Sequence, residues 1–133
     1  MLIENNFIRL EYDPTKDILY FQWPDFYEYA VPELRYILKN VTDTIKSYDI
    51  KYLIIDARSS VIALSDTEYA DVTTEFSKDI ASTRLIKSAR IIGDVTAREQ
   101  QVQAIRAKAG MTLETRSFHL PEEAVAWFQS DKA

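Results

Sequence analysis

Between Asp56 and Ser65 the chain gathers a carboxylate, a guanidinium and three hydroxyls: Asp56, Arg58, Ser59, Ser60 and Ser65. Serine hydroxyls serve as nucleophiles when a base activates them, or as acceptors of a regulatory phosphate, and Arg58 could neutralise an anion in the same loop. No general base of known geometry accompanies these serines, and there is no G-x-S-x-G elbow, so a catalytic serine is not expected. Ser65 and Glu68 form an S-x-x-E pair, the pattern of a helix capping box worth about 0.5 to 2 kcal/mol. The first expectation for Ser65 is therefore a helix cap. For Asp56, at the end of the apolar run KYLIID, it is a carboxylate that orients the backbone amides of the loop.

Other chemistry-bearing residues are sparse. His119 is the single histidine, and a lone imidazole among scattered carboxylates lacks the clustered ligands of a metal site. Glu122 and Glu123 suit the first turn of a helix, where the macrodipole favours acids. Two glycines, Gly93 and Gly110, support neither a P-loop nor a dinucleotide fingerprint, so no nucleotide or other cofactor is expected. With no cysteine there is no disulfide, thiolate zinc site or cysteine nucleophile, which fits a reducing, cytoplasmic setting.

The elements that would hold these residues read as follows. Residues 6–13 alternate as a strand with Ile8, Leu10 and Tyr12 on one face, a turn follows at Asp13 to Asp17, and 18–23 returns as a second strand. Pro32 opens a helix to Tyr48 with Leu34, Ile37, Leu38, Val41 and Ile45 at helical spacing. Residues 51–56 form a short apolar run suited to a parallel strand covered on both faces. The helix from Ser65 carries Tyr69, Val72, Phe76 and Ile80 on one stripe. A strand lies within 84–93, a helix capped by Thr96 and Glu99 runs to Gly110, 113–119 is the last strand, and Pro121 starts the last helix. In that helix Trp127 and Phe128 are adjacent and point in different directions, which leaves one of them open to partial exposure.

The expected order is β-β-α-β-α-β-α-β-α: a single α/β domain over 1–133, with an N-terminal hairpin and three right-handed β-α crossover units. Roughly two-thirds or more of the unfolded chain's surface is buried by a body of this size. Six of the ten residues from Tyr20 to Tyr29 are aromatic. Phe21 suits the core, whereas Trp23, Phe26, Tyr27 and Tyr29 could line a ligand pocket or a subunit contact. The hairpin leaves an edge strand to be covered, charged or paired, so a homodimer is one expectation.

The net charge of −5 argues against generic nucleic-acid binding. Arg84, Lys87, Arg90, Arg98, Arg106 and Lys108 fall where acids are few and are expected on solvated faces, with a docking surface for an acidic partner as the alternative. No apolar run approaches the roughly 20 residues of a membrane span, and the acids near the start do not suit a signal peptide, so no membrane insertion is expected.

This order of elements, the strand LIID closing on Asp56, the helix start at Ser65 and the terminal EEAVAWF resemble STAS-like domains. That family includes anti-anti-sigma factors and the cytoplasmic domains of sulfate transporters, with small stand-alone bacterial proteins distantly akin to CRAL-TRIO lipid-transfer proteins. The resemblance implies a mixed sheet with helices packed against it. In anti-anti-sigma factors a strand ending in aspartate is followed nine residues later by a serine that a partner kinase phosphorylates, positions that Asp56 and Ser65 occupy here. The family pattern has Asp before that serine and small residues with a glycine after it. This chain has Leu64 before, and Asp66, Thr67 and Glu68 after. The implied function is a non-enzymatic signalling module that binds a protein partner through Asp56, Arg58, Ser60, Ser65 and Tyr69, with Ser59, Ser60 and Ser65 as candidate phosphorylation sites. The alternative is a carrier of a small apolar ligand among the aromatics, in keeping with the lipid-transfer affinity.

Overall fold

The computed structural model describes residues 2–3, 10–22, 31–58, 66–92 and 114–130. Six strands and three helices lie in these stretches: β1 (Leu2–Ile3), β2 (Leu10–Asp13), β3 (Ile18–Gln22), α1 (Val31–Tyr48), β4 (Tyr52–Asp56), α2 (Asp66–Ala81), β5 (Lys87–Ile91), β6 (Glu114–Phe118) and α3 (Pro121–Gln129). They form an α/β fold in which the strands stand in chain order across one mixed sheet, β1-β2-β3-β4-β5-β6. The first two pairings are antiparallel and the last three parallel. The short β1 was not expected, because two residues carry no readable alternation. The expected helix from Thr96 to Gly110, and the Ser65 cap, lie outside the described residues.

The hairpin turns as its sequence dictates. The Asp13 carboxylate accepts from the Thr15 amide at 3.0 Å and from its hydroxyl at 2.6 Å, an Asx turn beside Pro14. Asp17 takes a positive φ of 57° and its carbonyl receives the Tyr52 amide at 3.2 Å, tying the turn to the start of β4.

Alternation along the strands sorts two cores. Leu10, Leu19, Phe21, Leu53 and Ile55 face α1 and α2, where they meet Leu34, Leu38, Val41, Ile45, Val72, Phe76 and Ile80. Ile18, Tyr52, Ile54, Ala89 and Ile91 face α3 and pack on Ala124, Trp127 and Phe128. Tyr52 stacks on Phe128 with ring centroids 4.9 Å apart. The apolar stripes read from α1 and from Val72, Phe76 and Ile80 of α2 are thus core stripes, and β4, flanked by strands and covered on both faces, is buried throughout. Helix α1 ends in a Schellman arrangement: Asp49 takes φ 53°, and Ile50 donates to the Ile45 carbonyl at 3.0 Å.

Two expectations are corrected here. Trp127 and Phe128 are both buried, because Trp127 turns to Phe118 and Lys87 while Phe128 turns to Tyr52. Of the basic residues expected in solvent, Arg84 is exposed, but Lys87 and Arg90 retain 1% and 5% of their exposure. Strand β5 is interior to the sheet, and on its α3 face Lys87 lies against Trp127, which covers it whatever its charge. Lys87 places its ammonium 4.6 Å from the Trp127 ring centroid and donates to the Trp127 carbonyl at 3.3 Å. A cation near the C-terminal carbonyls of α3 is favourable to the helix dipole. Arg98, Arg106 and Lys108 lie outside the described residues.

Candidate functional site at the end of β4

Asp56 is the last residue of β4, beside Gln22 on β3 and Ile91 on β5 in the parallel register. That places it at the carboxyl end of the parallel strands, the edge at which open α/β sheets hold their functional loops. Its side chain is on the α3 face, and on that face two residues back along β3 stands Tyr20.

The carboxylate is fully engaged. Oδ2 accepts the Tyr20 hydroxyl, and Arg58 donates from Nη2 to Oδ2 at 2.7 Å and from Nε to Oδ1 at 3.0 Å. The Arg58 backbone amide adds a fourth donor to Oδ1 at 3.1 Å. The pair is a bidentate guanidinium-carboxylate fork, the strong form of a charge-assisted hydrogen bond. Asp56 is buried while the Arg58 side chain keeps 38% of its exposure. The expected task of Asp56, orienting a loop amide, is therefore what it does at Arg58. Arg58 itself is committed first to Asp56.

The electrostatics follow from these contacts. The Arg58 side chain, with help from Tyr20 and the Arg58 amide, brings the Asp56 carboxyl down to about 2 against the opposing effect of burial. Burial and the hydrogen bond to Asp56 push the Tyr20 phenol up. Asp56 holds the Arg58 guanidinium further into its charged form. Carboxyl and phenol are thus driven apart and away from neutrality, so neither is tuned for proton transfer near pH 7. What the cluster does chemically is fix the first two residues of the loop that leaves β4. The Ala57 amide, donating to the Ile91 carbonyl at 2.9 Å, extends that grip toward β5.

The structure joins Asp56 to Arg58, a pairing not expected from the sequence, and adds Tyr20 from 36 positions away. Tyr20 was legible only as part of an aromatic run; alternation along β3 puts it on the opposite face from Phe21. Ser59, Ser60 and Ser65 lie outside the described residues, as do Trp23, Phe26, Tyr27 and Tyr29 and the side chain of Tyr69. His119 joins no metal cluster among the described residues; its Nδ1 sits 3.2 Å from the Ile92 carbonyl, which makes Nδ1 the protonated nitrogen. Glu123 accepts the Leu120 amide at 3.1 Å, so this acid of the pair caps α3. No described helix is long and apolar enough to cross a membrane.

A groove of about 310 Å³ runs between α1 and α2 on the outer surface. Arg35 and Glu75 bridge it at 2.8 Å over a floor of Leu38, Val72 and Phe76. It is remote from Asp56, which lies on the other face of the sheet.

Comparison with known proteins yields no matching family model, no matching curated protein and no matching solved structure.

Proposed function

We propose that this chain is a non-enzymatic protein-interaction module of the STAS-like kind, whose partner reads the loop after β4 together with the exposed face of α2. The observation that carries the reading is the saturated Asp56 carboxylate. Four donors on one buried carboxylate make it a fastener for the loop root rather than a base or a ligand for something absent. Anchoring the root of the loop to the end of a strand removes part of the ordering cost of binding. In this reading Ser65 is the regulated hydroxyl: a phosphate there adds up to about two negative charges beside the loop and repels an acidic partner.

Site-specific photocrosslinking in the host cell tests the proposal. A photoreactive residue at Asp71 or Lys78, both exposed on α2, is expected to trap a discrete partner protein that the same residue at Glu122 on α3 does not trap. Equal capture at both places, or none at Asp71 and Lys78, overturns the reading.

A further inference from the structure

Strand β6 closes one side of the sheet: β5 pairs with its inner side, and among the described residues no strand pairs with its outer side. One hydrogen bond sets the direction of its backbone groups. The Ile92 amide donates to the Phe118 carbonyl at 2.9 Å, so Phe118 turns its polar groups toward β5. Within a strand, the N–H and C=O of one residue point to the same side and those of its neighbour to the other. Glu114 and Arg116 therefore also turn inward, and Thr115 presents its N–H and C=O outward, as an unpaired edge does.

The side chains on this edge carry an ordered pattern of charge. Glu114 and Arg116 lie on the α3 face, 3.6 Å apart, with 52% and 59% of their side chains exposed, and the Arg116 guanidinium sits 5.1 Å from the Trp127 ring centroid. Thr115 points to the opposite face, where its Oγ1 lies 2.8 Å from Ser88 Oγ.

We propose that β6 is a self-pairing edge, at which a second copy of this chain adds its own β6 antiparallel about a two-fold axis at Thr115. Each Thr115 amide then donates to the Thr115 carbonyl of the other copy, and each Glu114 stands opposite the other copy's Arg116. The order acid, neutral, base reads as its own complement only when the strand is reversed about its middle residue. An in-register parallel copy would set acid against acid and base against base. A two-fold axis moved by one residue would set two Arg116 side chains face to face, which destabilises a cross-strand pair. The axis at Thr115 stands perpendicular to the sheet, so the two sheets run on as one and both α3 helices lie on the same side. Such an interface is isologous and closes at the dimer.

Sedimentation equilibrium on the full chain, across a wide range of concentration, reads the result. A reversible monomer-dimer equilibrium that weakens with added salt is expected. Glu114→Arg, which turns both cross-strand pairs repulsive, is expected to weaken it about tenfold or more, and the double variant Glu114→Arg/Arg116→Glu to restore it. Thr115→Pro removes the outward amide and leaves the backbone bonds to β5 in place, giving up only the hydroxyl contact with Ser88, and is expected to give a folded monomer by circular dichroism. A wild-type monomer at every concentration overturns the proposal. So does a dimer unchanged by Glu114→Arg, a double variant that stays dissociated, or a folded Thr115→Pro chain that still dimerises.

Discussion

Asp56 holds Arg58 twice, by the backbone amide at 3.1 Å and by a two-pronged grip on the guanidinium at 3.0 and 2.7 Å. Bonds from both main chain and side chain to one buried carboxylate hold the backbone of Arg58 as well as its head group. The root of the loop after β4 is therefore stiff, whatever the loop beyond it does.

Removing that charge should be visible as a change in acid stability. Folding lowers the Asp56 carboxyl from its ordinary 3.8 to about 2. A lowered carboxyl stabilises the fold above its unfolded value and loses that contribution as pH falls through the folded value. The stabilisation, about 2 kcal/mol, is thus present above about pH 4 and fades toward pH 2. Urea melts of Asp56→Asn should show lower stability at pH 7 and a flatter acid limb than the wild type. An unchanged acid limb would show that another group carries it.

Alkaline pH should act through Tyr12. Its hydroxyl donates to Asp17 Oδ1 at 2.7 Å, and burial, reinforced by that bond and by the nearby acids, pushes the phenol up to about 12. A raised phenol stabilises the fold fully below about pH 10, and the contribution is lost as pH rises toward 12. Tyr12→Phe is expected to flatten the fall in melting temperature over that interval. Ultraviolet titration of the wild type should show one tyrosine ionising later than in the variant.

The core under α3 should be sensitive to truncation. Phe128→Ala removes a buried ring stacked on Tyr52 and should cost about 3 to 5 kcal/mol in denaturant unfolding. Tyr36→Ala, at an exposed position on α1, should cost no more than about 0.5 kcal/mol.

Lys87 gives a sharper test, because a lysine is ordinarily an inexpensive loss. Lys87→Ala removes a buried stem, the bond to the Trp127 carbonyl and the contact with its ring. A loss of about 2 kcal/mol or more is expected. Arg84→Ala, exposed and 3.6 Å from Asp49, is the control and should change stability by less than about 1 kcal/mol.

Why Lys87 escaped the sequence reading is instructive. Charge argues for solvent, and only the helix laid over that face of β5 decides otherwise; its Trp127 comes from 40 positions further along the chain. The same limit applies to Tyr20. Its bond to Asp56 depends on the parallel register Gln22 to Asp56, which no local pattern encodes. By contrast, Leu34, Ile37, Leu38, Val41 and Ile45 announce one helical face by spacing alone, and all are buried. Periodicity within an element was legible, and so was the hold of Asp56 on a loop amide, but not its ion pair with Arg58. Contacts set by how strands lie side by side were not.

Strands that stand across the sheet in chain order have a kinetic meaning. Each strand emerging from the ribosome finds its pairing partner already made, one connection behind it, and none must wait for a distant segment to arrive. Chain order keeps each closure to one connection, which holds down its entropic cost, and the antiparallel hairpin closes faster than the parallel pairs that follow it. The growing edge of the sheet is always the newest strand, so each strand serves in turn as the open template for the next, and among the described strands β6 is the one that keeps that edge.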